Sequence, residues 1–198
     1  GEYQSGFRPN RGTMDQVATL KFILEDSYEH GLEVHMCFID FKQAYDSINQ
    51  NKLLEILKIF EFPNKIIRLV KVTLQNTICK IMVDGNYSTG FTTDKGVRQG
   101  DPLSSLLFNL ALEWVIRESK MHTSGTILHH RHQILAYADD IVIVTRSKNE
   151  LSQICARLIP TAKKIGLEIN ENKTKYMCMR RRPTEDRFQA NDLEIVVN

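Results

Sequence analysis

The segment QILAYADDIVIVT, residues 133–145, places two adjacent acids, Asp139 and Asp140, inside an otherwise apolar run. Apolar residues on both sides predict a strand or hairpin that is buried against a core. Neighbouring carboxylates repel each other, and burying them without a partner costs on the order of several kcal/mol each. The segment therefore predicts that something positively charged meets the pair.

The composition is that of an ordinary globular protein. The chain has 198 residues, of which 42% are hydrophobic and 25% are charged, which predicts one domain or two small, closely packed ones. No stretch approaches the roughly 20 apolar residues of a membrane span, so we expect no membrane partner. Because Gly1 replaces an initiator Met and no signal-like segment follows, we expect an excerpt of a longer, intracellular protein.

The cysteines and histidines form no familiar metal motif. The four cysteines are widely spaced, without a C-x-x-C pair, which favours buried, reduced thiols. The HHRH run at 129–132 lies in a polar link, where a solvated loop is favoured over a metal site. The net charge of +2 does not indicate nucleic acid, but eight basic residues lie between Lys163 and Arg187. They are either phosphate contacts or a solvated helix face.

The order of predicted elements indicates an α+β fold around an antiparallel sheet. Helical spacing and a capping box at Thr13 and Gln16 predict a helix at 12–31, and a second box at Ser147 and Glu150 predicts another. Alternating residues at 77–93, with Asp84-Gly85-Asn86 between them, predict a hairpin. Helices are also predicted at 51–60, from Pro63 to about 75, and at 102–119.

A third acid, Asp40, ends the predicted strand at 32–41. If that strand lies beside the opening segment, three carboxylates meet at one sheet edge, where they form a site for hard cations such as Mg²⁺. Two such ions about 3.5–4 Å apart can assist an in-line phosphoryl displacement. The alternative is a turn at the paired acids and a helix cap at Asp40. Asp46 is similarly open to a capping role, for a helix starting near residue 49.

Four segments in order resemble the polymerase motifs of reverse transcriptases. They are FIDFKQAYDSI (38–48), GVRQGDPLSSLLFNLALE (96–113), ILAYADDIVIV (134–144) and GLEINENKTKYM (166–177). Upstream, QSGFRPNRGTMDQ (4–16) is similar to the finger segment of non-LTR retrotransposons and group II introns. The resemblance covers about 36–180 and lies closest to non-LTR, jockey-like mobile elements.

The resemblance implies the palm of a right-hand polymerase with partial fingers. A partial fingers segment would occupy residues 1–35, the palm 36–185 with a fingers insertion at about 48–95, and the start of a connection toward a thumb 186–198. It also implies a longer multidomain polyprotein, and nuclear localisation at the integration step.

The implied reaction is RNA-directed DNA synthesis. A primer 3′-hydroxyl attacks the α-phosphate of a dNTP, so the expected partners are an RNA template, a DNA primer and dNTPs. Asp40 and Asp139 would hold two Mg²⁺ ions, with Mn²⁺ as a substitute, and Asp140 would add charge and hydrogen bonds as the third member of the catalytic, metal-binding set. Lys173 would protonate or neutralise the leaving pyrophosphate; the alternative is a solvated loop lysine.

The resemblance also implies a nucleotide pocket. Tyr45 matches the aromatic steric gate that rejects ribose; the alternative is a core tyrosine. Gln99 and Gly100 would line the pocket, with Gly100 allowing close backbone approach. Phe41 could offer its carbonyl to a metal and its amide to a phosphate. Arg8 and Arg98 are further candidates for contact with template or nucleotide.

Three alternative interpretations of the sequence compete with this one, and each is disfavoured. A viral RNA-dependent RNA polymerase shares the palm acids, but Tyr45, QGDPLS and the Ala138 that precedes the acids disfavour it. A catalytically inactive, domesticated remnant would bind nucleic acid or a partner, although the intact acids disfavour long decay. An unrelated metal-binding α+β domain would not produce four ordered motifs.

Overall fold

The computed structural model describes residues 1–75, 78–98, 100–121, 132–180, 187–190 and 193–196. The helices are α1 (Thr13–Glu29), α2 (Ala44–Ser47), α3 (Gln50–Ile59), α4 (Asn64–Leu74), α5 (Pro102–Glu118) and α6 (Lys148–Lys163). The strands are β1 (Val34–Ile39), β2 (Ile78–Cys79), β3 (Met82–Val83), β4 (Asn86–Tyr87), β5 (Phe91–Thr92), β6 (His132–Tyr137), β7 (Asp140–Thr145), β8 (Lys175–Met179), β9 (Arg187–Ala190) and β10 (Leu193–Val196). Within these residues, no helix combines the length and apolarity needed to cross a bilayer.

The central element is a four-stranded sheet with the order β6-β7-β1-β8, in which all neighbours are antiparallel. The predicted α+β fold around an antiparallel sheet is therefore confirmed. The β1–β7 register pairs Ile39 with Ile141. It brings the end of β1 beside the start of β7, so the two predicted acidic strand ends meet at the same edge of the sheet.

The sheet separates two cores because side chains alternate between its faces. Cys37 and Ile39 of β1 pack into the larger core, which helices α3, α5 and α6 cover. Val34 and Met36 pack into a smaller core beneath Ile23 of α1. Full burial of one large apolar side chain contributes roughly 1.5–3 kcal/mol, so this two-sided packing fixes the register that holds the acids together.

The helix starts correct one sequence prediction and decide one alternative that the sequence left open. Helix α1 begins after Gly12, whose amide donates to the Asp15 carboxylate at 2.7 Å, so the predicted Thr13 and Gln16 box is wrong. Asp46 does not cap the helix at residue 50, because Asn49 does so by accepting from the Lys52 amide at 3.0 Å. The predicted cap of α6 at Ser147 is confirmed.

The hairpin predicted at 77–93 is confirmed. Strands β3 and β4 pair through Val83 and Asn86, and the two residues between them have φ angles of 48° (Asp84) and 79° (Gly85). Two central residues with positive φ form the tight turn that an Asp-Gly pair favours. Strands β2 and β5 pair outside this hairpin and extend it.

All four cysteines are free, as the sequence predicts. Cys37 and Cys155 are buried, whereas Cys79 and Cys178 are half-exposed, so the prediction of burial is wrong for the latter two. The HHRH run lies outside the described residues apart from the backbone of His132.

The backbone conformation and close packing of Gly166 lead to a specific prediction about stability. Its φ is +91°, and a Cβ atom there would lie 2.2 Å from the Ser47 carbonyl oxygen. Gly85 has a φ of +79° with open space around it and provides the matched control. Gly85→Ala should lower the free energy of unfolding by about 1 kcal/mol through backbone strain alone. Gly166→Ala should lower it by more than twice as much because backbone must also move. Urea unfolding measures both, and equal losses would contradict the packing described here.

Candidate active site

The paired acids lie at the turn of the β6–β7 hairpin. Tyr137 pairs with Asp140 across the turn, which leaves Ala138 and Asp139 as its two central residues. Ala138 has a φ of +57°, and this left-handed conformation costs a residue with a Cβ roughly 1–2 kcal/mol. The turn thus places Asp139 at its tip and Asp140 at the start of β7. The backbone strain lies at Ala138, the residue immediately before the pair.

Asp40 follows β1 directly and is fixed by its backbone. Its amide donates to the Thr174 hydroxyl at 3.4 Å, and its carbonyl accepts from the Asn170 amide at 2.8 Å. Because Ile39 pairs with Ile141, the next residue, Asp40, lies beside Asp140. The structure therefore brings the three acidic residues that the sequence suggested to one edge of the sheet.

The electrostatics of the cluster are those of crowded negative charge. Burial, followed by the charges of Asp139 and Asp40, raises the pKa of Asp140, while Lys173 opposes the rise. The Lys173 ammonium lies 3.9 Å from Asp40 Oδ2, on a side chain that is 70% exposed. Such an exposed pair contributes little, so Lys173 reduces the repulsion without removing it.

One carboxylate oxygen is suited to a cation. Asp40 Oδ2 is buried and accepts no hydrogen bond from the described residues. A buried acceptor without a hydrogen bond is costly, whereas hard divalent cations take carboxylate oxygens as ligands. The residues at this edge therefore fit a divalent metal ion.

Phe41 contributes through its backbone, because its ring is buried in the larger core. It forms an antiparallel bridge with Ile169, flanked by hydrogen bonds from Lys42 to Glu168 and from Asn170 to Asp40, each 2.8 Å. In such a pair the amide and carbonyl of the bridging residue point away from its partner. The Phe41 amide and carbonyl are thus directed away from Ile169, as a contact with metal or phosphate would require.

A cavity of about 510 Å³ adjoins the acids. Its lining residues include Tyr45, Arg98, Gly100, Ser105 and Asp139. The Tyr45 ring stacks on buried Phe108, with centroids 4.7 Å apart and planes 21° apart. Burial, and then the charge of Asp139, raises the pKa of Tyr45 to about 12, so its hydroxyl is protonated at neutral pH. Tyr45 is therefore both packed on the core and presented to the cavity.

Gly100 lines this cavity, one residue before the helix cap. Its φ is +87°, and a Cβ there would meet no atom within 4 Å. The backbone conformation, not crowding within the protein, is what favours glycine here. Asp101 then caps α5 by accepting from the Leu103 amide at 2.9 Å. Gln99 lies outside the described residues.

Arg8 is directed at its own segment. Its guanidinium donates to the carbonyls of Gly1 and Gln4 at 3.1 and 3.2 Å and pairs with Glu2 at 3.5 Å. These contacts brace the N-terminal segment and give no support to a template contact.

Sequence reasoning missed Gln4, which contacts the acidic turn. Its Oε1 accepts from the Ala138 amide at 2.9 Å, and its Nε2 donates to the Ala138 carbonyl at 3.0 Å. Gln4 is 4% exposed, so these bonds are shielded from water. No periodicity or spacing links residue 4 to residue 138, and its place within the motif-like QSGFR segment was the only available signal.

A second group of metal-ligating side chains lies at the opposite end of β1. Glu33, His35 and Cys178 bring their ligand atoms within 4.8 Å of one another. However, the Arg180 guanidinium contacts the Cys178 sulfur at 3.1 Å and Glu33 at 3.2 Å, and His35 bonds both Glu33 and Tyr176. A guanidinium already provides the positive charge, so this group is a structural network.

Solved structures share the fold. Telomerase from Candida tropicalis, in complex with a fragment of telomeric RNA, matches with a TM-score of 0.68 and 19% identity over 98% of this chain and 33% of that one. The corresponding Candida albicans telomerase matches with a TM-score of 0.68 and 14% identity over 93% and 33%. These similarities place the sheet and its helices in the palm-like α+β class of polymerase folds.

The sequence places the chain more narrowly. The family model of reverse transcriptase (RNA-dependent DNA polymerase) matches residues 1–192, and the chain belongs to this family. The predicted family resemblance is therefore confirmed.

The related proteins are encoded by non-LTR retrotransposons. The Pol polyprotein of the R2DM element of Drosophila melanogaster is 25% identical over 92% of this chain and 17% of its own length. The RNA-directed DNA polymerase of the jockey mobile element from the same species is 28% identical over 76% and 16%. The chain thus spans less than a fifth of the length of these two relatives.

The carboxylate cluster predicts a pH-dependent stability change. Because the pKa of Asp140 is raised in the folded state, its ionisation destabilises the fold. This penalty is complete at neutral pH and disappears as the pH falls through the raised pKa to the ordinary value of about 4. Without divalent ions, Asp140→Asn should therefore raise the melting temperature at pH 7 but not near pH 4.

Asp94→Asn, at an exposed position, serves as the control and should leave the melting temperature at pH 7 unchanged. Thermal unfolding followed by circular dichroism makes the comparison. An Asp140→Asn variant that is no more stable than the unsubstituted chain at pH 7 would contradict the burial and charge repulsion that raise the pKa of Asp140.

Proposed function

We propose that this chain is the catalytic palm of an RNA-directed DNA polymerase that extends a primer 3′-hydroxyl with dNTPs during retrotransposition. The observation that carries the proposal is the meeting of Asp40, Asp139 and Asp140 at one sheet edge, beside a cavity lined by Tyr45 and Gly100. Family membership supports the same reaction class. The chemistry joins the primer oxygen to the α-phosphate and releases pyrophosphate.

Asp40 and Asp139 would hold two Mg²⁺ ions, or Mn²⁺ in their place, and Asp140 would add negative charge. When bound, such ions stabilise the attacking and leaving oxygens of the displacement. The carboxylates are preorganised for this task because the sheet register and the turn, not the ions, bring them together. The buried, unbonded Asp40 Oδ2 supports this assignment.

Other groups at the edge would orient the nucleotide. The Phe41 amide, directed away from Ile169, would donate to a phosphate, and its carbonyl would face a metal ion. Gly100 and Gln99 would line the pocket for the base and sugar, and Tyr45 would exclude a ribose 2′-hydroxyl. Correct placement of reactants accounts for much of the rate in phosphoryl transfer.

The template and primer would contact basic surfaces. Lys42, Lys95, Lys163 and Lys164 line a second cavity of about 500 Å³, together with Asp46 and Glu168. Lysine ammonium groups bind nucleic-acid phosphates without reading sequence. An RNA template and a DNA primer remain proposed partners, as do the longer multidomain polyprotein and nuclear localisation at the integration step.

The direct test is primer extension on an RNA template with a DNA primer in Mg²⁺. The chain should be assayed alone and within its presumed flanking sequence, each beside an Asp139→Ala, Asp140→Ala double variant. Extension that the double variant abolishes is the expected result. A folded protein that extends no primer in either form would favour the alternative, a catalytically inactive remnant that binds nucleic acid.

Tyr45 should determine sugar selectivity. Tyr45→Ala should incorporate rNTPs with a catalytic efficiency closer to that for dNTPs because the ring no longer meets the 2′-hydroxyl. Single-nucleotide incorporation with matched dNTP and rNTP pairs measures the ratio. Tyr45→Phe retains the ring and serves as the control. An unchanged ratio in Tyr45→Ala would remove the residue from this role.

Lys173 should act on the leaving group. Its ammonium already lies 3.9 Å from Asp40, on a side chain exposed enough to reach a bound triphosphate. Lys173→Ala should slow incorporation by about 10²-fold or more, the lower range for general acid catalysis, while primer-template affinity changes little. Rapid-quench kinetics and equilibrium binding separate the two effects, and equal losses in both would argue against an acid role.

A further inference from the structure

The backbone groups of Ala138 have no partners within their own hairpin. In a two-residue turn the flanking residues, here Tyr137 and Asp140, form the closing pair, and the first central residue lies outside the ladder. Ala138 is buried, with 7% of its surface exposed, so water cannot readily replace a missing hydrogen bond. The amide and carbonyl of this residue therefore need a partner from elsewhere in the chain.

The side-chain amide of Gln4 supplies both partners at once. It accepts from the Ala138 amide at 2.9 Å and donates to the Ala138 carbonyl at 3.0 Å. Because a primary amide is planar, the two bonds fix the orientation of the Ala138 backbone as well as its position. The residue held in this way is the one with the left-handed φ of +57°, immediately before Asp139.

Gln4 is itself held rigidly. Its main chain forms a parallel bridge with Ala136, in which Ala136 donates to the Tyr3 carbonyl at 2.8 Å and Ser5 donates to the Ala136 carbonyl at 2.9 Å. The Gly6 amide donates to Gln4 Oε1 at 2.7 Å. A Cβ on Gly6 would lie 2.2 Å from the Ala138 nitrogen, so the segment packs directly on the turn.

We propose that Gln4 is a positioning residue for the carboxylate pair: its amide holds Ala138 in the left-handed conformation and so determines where Asp139 and Asp140 point. The proposal rests on the proposed polymerase function for its catalytic consequence, but not for its structural one. Gln4 acts through the backbone of Ala138 and does not contact substrate. The N-terminal segment thus becomes part of the active site although it contributes none of the acids.

The structural part is tested first on the unsubstituted chain by amide hydrogen exchange. The Ala138 amide should exchange much more slowly than expected for a turn residue, because it is bonded and buried. Gln4→Met keeps the length of the side chain and removes both bonds, and it should accelerate exchange at Ala138 by at least about tenfold. Rapid exchange in the unsubstituted chain would overturn the proposal.

The functional part is tested by Mn²⁺ binding, followed through loss of the free-ion electron paramagnetic resonance signal, and by primer extension. Gln4→Met should weaken Mn²⁺ binding by about tenfold, the lower range for lost outer-shell support of metal ligands. It should lower kcat while leaving the dNTP KM within about twofold. Gln4→Glu keeps the acceptor and loses the donor, so it should lose less Mn²⁺ affinity and less kcat than Gln4→Met. It also serves as the second variant if Gln4→Met does not fold.

Gln16→Met is the matched control. Gln16 also uses its side-chain amide on the N-terminal segment, bonding the Tyr3 carbonyl and the Ser5 hydroxyl, but it does not contact Ala138. It should leave Mn²⁺ affinity and Ala138 exchange unchanged. Equal effects of the Gln4 and Gln16 substitutions would reduce Gln4 to a general stabilising role and overturn the proposal. The expected loss of Mn²⁺ affinity in Gln4→Met, in a chain that extends no primer either alone or within its flanking sequence, would instead leave the Gln4 role intact and reject the polymerase function.

Discussion

Three carboxylates that repel one another lie at one edge of the sheet, and the rest of the structure has to hold them there. Asp40, Asp139 and Asp140 come from two chain segments that are a hundred residues apart in sequence, and only the β1–β7 register brings them together. Packing on both faces of the sheet opposes the repulsion, because a one-residue slip would move every core side chain to the wrong face. The fold thus holds the acids in an arrangement that they would not adopt alone.

Support for the acids comes from segments that carry no acid of their own. Asn170 and Thr174, which follow α6, bond the backbone of Asp40, and Gln4 bonds the backbone of Ala138. These contacts act on main-chain groups and leave the carboxylate oxygens available for ligands. A rigid backbone with free carboxylates is what electrostatic preorganisation requires, because the protein need not rearrange when charge develops.

The sequence predicted those features that depend on local chemistry. Period-2 alternation and the Asp84-Gly85 pair identified the hairpin, and apolar runs that end in acids identified the meeting of Asp40 with the pair. It left the choice open where two neighbours compete for one role, and the structure shows that Asn49, not Asp46, caps α3. It failed where the partner is distant in the chain, because a hydrogen bond between residues 4 and 138 leaves no periodic trace.

The central claim is that the three acids form a divalent-ion site. Anomalous X-ray scattering at the manganese edge, from crystals of the chain with primer-template, Mn²⁺ and a non-hydrolysable dNTP analogue, tests it most directly. We expect two peaks about 3.5–4 Å apart between Asp40 and Asp139. An ordered nucleotide in the Tyr45 cavity with no anomalous peak at these carboxylates would contradict the account.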